Sequence, residues 1–570
     1  MKGFFIRVSI KGISVLIFLL LQIVFSDNIS YAQSRSFGGL PILRPKTQIT
    51  YSDHLNHLPE YQYILDIYEQ LVQAKGDRRM QVPALYLRKE EAYVASVDYR
   101  LLDISIEKTA FDVAKKYGDA GVAFLLAHEL THYYEKHGWR SHYSDEISDL
   151  ESGRLLRIIN DGVSNEVQAD VLGGFLAYSA GFGIFENGGK LIEELYRVYK
   201  MKDRIPGYPS KKDRIALSDR NKIQITQMAN QFEMANLLTI VGKYSEAYAY
   251  YGYILNKYQS RELYNNAGLT CMLSACSMID PKVLVFDLPG FMDLEFSGSS
   301  RSASQIAEVL KLLDEAQIHF ETAILMNRDY LPAHINKASV SILKHIVETD
   351  LNQKNGALSK AKYTVEIEIK NLINRLETQY FDADVLILQS LLEYYSDNRQ
   401  KSLSLMAEAA GAGNETARKN LAVMNGSAQS PMARTEKIDV YIDNMNADTF
   451  LKAGMVSRNM TNINDANVFR VTDQSHSNYK ILMHEFKGNE QEFGFDLAFM
   501  VSKDSFKEPF YKDIGIGSHK NDLMKDFGQP KRSLSYLKGE IILFNNDVII
   551  FTDHNSTIVK MVDFVEHLHF

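Results

Sequence analysis

The segment Ala123-Phe124-Leu125-Leu126-Ala127-His128-Glu129-Leu130-Thr131-His132 sets two imidazoles four residues apart. On a helix, such residues lie about 40° apart around the axis and one turn along it, so both rings reach one ion from the same face. Glu129, about 100° from His128, borders that face. A carboxylate there can take a proton from a water held at the metal, which is the mechanical content of the His-Glu-x-x-His pattern. The residues before His128 are uniformly apolar, so this helix is expected to be buried, and buried histidines and a buried glutamate need partners. One zinc ion is the simplest partner that satisfies all three. A hydrolytic zinc centre takes a third protein ligand and keeps its fourth position open. Downstream, Asn165-Glu166-Val167-Gln168-Ala169-Asp170 precedes the apolar run 171–175, and Glu166 and Asp170 are again four apart. Glu166 can supply the third ligand, while Asp170 can accept the free ring N–H of a ligating histidine. The alternative for Glu166 is an exposed helical charge.

These side chains need elements to carry them. Apolar spacing predicts a helix over 54–74, through Leu58, Tyr61, Ile64, Leu65, Tyr68 and Leu71. Aromatic and branched residues predict short strands at 84–88, 93–98 and 101–106. A helix over 109–116 should stop at Gly118, with Asp119 as N-cap of a helix over 120–137 and Gly138 as its C-cap. From about 224 to 425 the texture is helix after helix. Gly242, Tyr244, Ala247 and Tyr251 resemble the offsets of a tetratricopeptide repeat, and Ala316, Phe320, Ala323 and Ile324 repeat that phase before Pro332-Ala333 opens another helix. The alternative is an irregular helical bundle; either usually presents a concave surface to a polypeptide partner. Beyond about Met432, strands are predicted at 540–544, 548–553 and 558–565, with Asn545-Asn546-Asp547 as a tight turn and a short helix between 515 and 530. This last region is loosely similar to the small alpha/beta modules of bacterial outer-membrane assembly lipoproteins. The fold class expected is α+β, mainly helical, with regions at 52–222, 223–430 and 431–570.

A chain of 570 residues is too long for one core. Its 45% hydrophobic and 24% charged residues suit folded globular domains, and the net charge of −8 argues against a nucleic-acid partner. Cys271 and Cys276, the two cysteines, read as buried helix residues rather than a disulfide framework. At the N-terminus, Lys2, Arg7 and Lys11 precede an apolar run over 13–25, and Ser30-Tyr31-Ala32 supplies small residues for cleavage. That order reads as a signal peptide over 1–32, followed by a linker or arm over 33–51. An uncleaved anchor is the alternative, although the run is shorter than the ~20 residues a spanning helix needs. No later stretch is apolar enough to span a bilayer, so export to the periplasm, or secretion, is expected.

His128-Glu129-x-x-His132 together with Glu166-x-x-Ala169-Asp170 resembles the gluzincin metallopeptidases of the CAAX prenyl endopeptidase and HtpX class, over roughly 54–217. In that family the Glu-x-x-Ala-Asp motif supplies the third ligand. The signal peptide and helical repeats are similar to its soluble periplasmic branch. The resemblance implies a zinc endopeptidase acting on misassembled envelope proteins in protein quality control, with the repeats recruiting substrates or partners. This sequence departs from the family at two places. Its His-Pro element reads Tyr208-Pro209, six residues before Arg214-Ile215, and 93–106 holds no glycine where the family has a glycine-containing strand hairpin. Tyr208 is therefore a candidate oxyanion donor with Arg214 as the electrostatic alternative; Tyr208 could instead pack, and Arg214 could pair with an acid. The rival function is a non-catalytic scaffold or chaperone with a vestigial metal site, against which the intact Glu129 argues. His137 is expected to face away as a helix C-terminal charge, and His476 and His484 to lie on the surface. His567 and His569 alternate on one face of the terminal segment. No phosphate-cradling Gly-Lys-Ser/Thr loop or serine nucleophile elbow is present.

Overall fold

The computed structural model describes residues 54–89, 93–99, 101–138, 151, 162–205, 208–280, 282–292, 305–350, 356–376, 382–426, 438–452, 460–462, 469–487, 493–544 and 547–566. The leader-like segment, the arm, the Asn545-Asn546 pair, His567 and His569 lie outside the described residues. The fold is mixed α+β: the described residues before 460 are mainly helical, with one small three-stranded sheet, and those after it are β-rich.

Helix α1 (Pro59–Lys75) starts at a proline, whose missing N–H costs nothing at a first turn. It ends at Gly76, φ 59°, whose N–H caps Val72 O. The expected helix began earlier, but His54 instead pairs with Arg88 in a β-bridge. Strands β1 (Ala84–Arg88), β2 (Ala95–Asp98) and β3 (Asp103–Glu107) form a sheet in the order β1-β3-β2, with β1 parallel and β2 antiparallel to β3. The β2–β3 hairpin is closed without glycine by placing Leu102 at φ 54°, a region non-glycine residues seldom adopt. Helices α2 (Lys108–Lys115) and α3 (Gly118–Tyr134) follow, broken apart by Gly118 at φ 73°. The buried Ile64, Leu71, Leu87, Ile104, Phe111 and Leu126 join α1, the sheet, α2 and α3 in one core.

Helix α4 (Gly162–Ala177) packs across α3 and passes into a π-turn, Tyr178–Phe182; α5 (Gly188–Val198) is next. Helix α6 (Lys211–Val241) is capped by Ser210, whose Oγ accepts from Asp213 N, and closed by Gly242 at φ 94°. Residues 222 and 223 both lie in this 31-residue helix, so one rod links the region around α3 to the helical region. There α7 (Tyr244–Leu255), α8 (Arg261–Met278), α9 (Gln305–Met326) and α10 (Leu331–Asp350) stack in sequence. The series continues through α11 (Ala357–Tyr363), α12 (Lys370–Leu376), α13 (Asp382–Tyr395), α14 (Arg399–Gly411) and α15 (Glu415–Met424), and α16 (Ala447–Lys452) precedes the sheet. Cys271 is buried and Cys276 partly buried on α8. Among the described residues no helix is long and apolar enough to cross a membrane.

The C-terminal region carries strands β4 (Met460–Asn462), β5 (Phe469–Ser475), β6 (Tyr479–Lys487), β7 (Phe493–Ser502), β10 (Arg532–Tyr536), β11 (Gly539–Leu543), β12 (Val548–Thr552) and β13 (Ile558–Glu566). They form one eight-stranded antiparallel sheet in the order β10-β11-β12-β13-β7-β6-β5-β4. A small pair, β8 (Pro509–Tyr511) and β9 (Ile514–Gly515), precedes the short helix α17 (Lys520–Phe527). One face of the large sheet, with Leu482, Phe499 and Val562, shares a core with Leu238, Tyr250 and Phe320 of the helices. His484 corrects the surface expectation: it is fully buried at this junction, with Nδ1 2.7 Å from the Tyr250 hydroxyl. Strand alternation placed its side chain on the inner face, and burial pushes its pKa down to about 3. His476 is half-buried and stacked on Tyr479.

A second junction group titrates in the opposite sense. Asp384 on α13 accepts from Ser535 Oγ of β10 at 3.0 Å and from Asn414 Nδ2 at 3.3 Å, and burial raises its pKa to about 7. An acid with a raised folded pKa stabilises the fold least once the unfolded chain has ionised. Stability should therefore fall as pH rises from about 4 to about 7 and stay low above it. Asp384→Asn keeps an acceptor for Ser535. It is expected to remove that slope and to stabilise the protein at pH 8 by on the order of a few kcal/mol, checked by urea unfolding across pH.

Candidate metal centre

Helix α3 carries His128, Glu129 and His132, all nearly fully buried, because the helix is covered on almost every side. Its one-turn spacing brings His128 Nε2 within 3.0 Å of His132 Nε2. The third group comes from α4: Glu166 Oε2 lies 3.4 Å from His128 Nε2, and Oε1 lies 3.4 Å from His132 Nε2. One donor atom from each residue lies within 4.8 Å of the others. Glu166 Oε2 and Glu129 Oε2 are buried and accept no hydrogen bond. Buried carboxylate oxygens seldom go without a partner, and an ion between the three groups would supply one to Glu166. The His-His-Glu group can hold one metal ion.

Helix α4 reaches this position because Gly173 lets the two backbones touch. A Cβ at Gly173 would sit 2.9 Å from both Ala127 O and His128 N of α3. Since backbone cannot swing aside, Gly173→Ala is expected to push α4 away, costing about 1–3 kcal/mol, and to weaken metal binding by moving Glu166. Denaturant unfolding of the metal-free protein and a chelator-competition titration would check both effects.

The partners of the ligands fix their electrostatics. His128 Nδ1 lies 2.8 Å from Asp170 Oδ1, one helical turn beyond Glu166. Burial alone would lower the His128 pKa, but the bonds to Asp170 and Glu166 prevail and raise it to about 10. Burial lowers that of His132. Burial opposes ionisation of Glu166, yet the two histidines hold its pKa well below the usual range. Glu129 goes the other way: burial first, and then the Glu166 charge, push it up to about 8 against the pull of His128. Asp170 is held low despite burial, chiefly by Arg214.

No family model matches this chain, and no curated protein is significantly similar to it.

Of the further site residues, Arg214, in the first turn of α6, donates from Nη2 to Asp170 Oδ1 at 3.2 Å and lies 3.7 Å from Glu166 Oε2. Its charge is thus engaged with the acids behind the ligands, the pairing alternative named above. Tyr208 packs into the apolar core beside α3. Burial, then the charges of Glu166 and Glu129 against the pull of Arg214, keep its phenol protonated, with a pKa well above the ordinary value.

His137 is a correction. It is 2% exposed, with Nδ1 2.8 Å from His132 Nδ1 and Nε2 3.1 Å from Gln168 Oε1 of α4. The expected helix over 120–137 would have turned it away. Instead α3 stops at Tyr134, and Lys136 at φ 58° reverses the chain. A left-handed lysine carries no sequence signal of the kind a glycine would. Gly138 is likewise no left-handed cap; it leaves room for the ring of Tyr99, whose hydroxyl donates to His132 O at 2.8 Å.

Proposed function

We propose that this chain is an exported zinc-dependent metalloendopeptidase, with His128, His132 and Glu166 as ligands and Glu129 as the base. The observation that carries the proposal is the convergence of these three donors beside a buried carboxylate oxygen that has no hydrogen bond. Donors bound at about 2.0–2.1 Å around a tetrahedral zinc stand about 3.3 Å apart. The two imidazole nitrogens stand 3.0 Å apart and each lies 3.4 Å from a Glu166 oxygen, Oε2 for His128 and Oε1 for His132, spacings that support an ion between them. Two imidazoles and one carboxylate are also the ligand set of hydrolytic zinc sites.

When bound, the ion supplies Lewis acidity toward a carbonyl and acidifies a water toward a pKa of about 7. Glu129 would take the proton from that water at its carboxylate and return it to the leaving amine. Tyr208, kept protonated, retains the O–H that an oxyanion donor needs. Arg214 balances the charge of Asp170 and Glu166.

The gluzincin resemblance of the two motifs supports peptide-bond hydrolysis. The stacked helices from α6 onward support tetratricopeptide-like recruitment of polypeptide substrates or a protein partner. The basic, apolar, small order of residues 1–32 supports export, with the periplasm as the compartment and misfolded or misassembled envelope proteins as substrates. Metal analysis of the purified chain, with hydrolysis of unfolded casein before and after chelation, tests the proposal. One zinc per chain and chelator-reversible cleavage are expected. A chain without zinc, or a zinc-loaded chain that leaves every unfolded substrate intact, would overturn it.

A further inference from the structure

We propose that His137 is the positioning residue for His132, accepting the proton on His132 Nδ1 so that His132 Nε2 presents a lone pair to the metal position. The inference deepens the metal-site reading and rests on it. With both rings neutral and the Gln168 amide oxygen turned toward His137, one assignment of protons closes the chain. Gln168 Oε1, at 3.1 Å from His137 Nε2, can only accept, so that nitrogen carries the hydrogen. A neutral imidazole has one N–H, which leaves His137 Nδ1 as an acceptor. The 2.8 Å contact between the two Nδ1 atoms then needs its proton on His132. The ring centroids are 4.8 Å apart and the ring planes stand at 82° to each other.

The chain of bonds therefore runs from His132 through His137 to Gln168, which sits on α4 between Glu166 and Asp170. One helix thus supplies a ligand and the ends of both orienting chains: Asp170 for His128 and, through His137, Gln168 for His132. The two chains differ in charge. His128 leans on a carboxylate, whereas His132 leans on a neutral acceptor. A second carboxylate behind the site would add a buried negative charge beside Glu166, Asp170 and Glu129.

The test compares His137→Leu with His137→Asn in the full chain, because Asn can place an acceptor oxygen near the position of His Nδ1. Zinc affinity is measured by chelator competition, the visible spectrum of the cobalt-loaded protein reports ligand geometry, and unfolding of the metal-free protein reports packing. His137→Leu is expected to weaken zinc binding by about 10–100-fold and to alter the cobalt spectrum, with most of the affinity restored in His137→Asn. Wild-type affinity in His137→Leu, or equal losses in both variants, would overturn the assignment while leaving the metal centre intact. A wild-type chain that binds no zinc would remove the metal centre and the assignment together. Should His137→Leu fail to fold, Gln168→Met serves at a half-buried position. Removing the amide oxygen frees His137 to reverse its polarity and should cost about tenfold in affinity, and unchanged affinity there would overturn the assignment.

Discussion

Glu129→Gln is expected to keep one zinc per chain and to lose hydrolysis of unfolded protein by about 10²–10⁴-fold. Gln preserves the shape of the side chain and leaves His128, His132 and Glu166 unaltered, so the donor set should survive. What disappears is the group that accepts a proton from water and delivers it to the leaving nitrogen. The substitution also removes a buried carboxyl whose raised pKa opposes folding. For Glu129 that opposition grows as pH rises from the ordinary glutamate range toward about 8. The metal-free variant should therefore be at least as stable as wild type at neutral pH, which separates lost chemistry from lost structure. Metal analysis, a casein assay and thermal unfolding on the same preparation give all three readouts. Retained hydrolysis in the zinc-loaded variant would remove Glu129 from its assigned role.

Arg214→Met should produce the largest loss of stability. The guanidinium is 2% exposed and is the cation that faces Asp170 and Glu166 from α6. Met fills much of the same volume but, among the described residues, leaves two buried carboxylates with the histidines to balance them. Breaking a buried pair by removing one partner costs about 3–5 kcal/mol, far more than the pair itself contributes over an apolar replacement. Asp170, no longer held low by Arg214, should take up a proton more readily and orient His128 less firmly, so metal affinity should fall as well. Arg214→Lys keeps the charge without the planar fork, and an intermediate loss is expected. Urea unfolding with and without zinc measures the effect. Equal stability of Arg214→Met and wild type would show that the two acids do not depend on this cation.

Much of this site was legible in the residues themselves. Helical spacing is local, so His128, Glu129 and His132 share one helix and Glu166 and Asp170 another, whatever surrounds them. The apolar run before His128 likewise announced a buried helix, and the strands at β1, β11, β12 and β13 followed from short apolar blocks between turn residues. Three things were decided only by tertiary packing. The approach of α4 to α3 depends on backbone meeting backbone at Gly173, a contact between segments far apart in sequence. The place of His137 beneath His132 depends on Lys136 adopting a left-handed conformation that its side chain does not favour. The burial of His484 depends on a sheet face closing over the helix that carries Tyr250. Periodicity reports which face of an element is apolar, but it carries no information about which distant surface that face will meet. The three candidate donors could therefore be named from the sequence, whereas the contacts made to two of them, by His137 with Gln168 behind it and by Asp170 with Arg214 behind it, became visible only once the helices had packed.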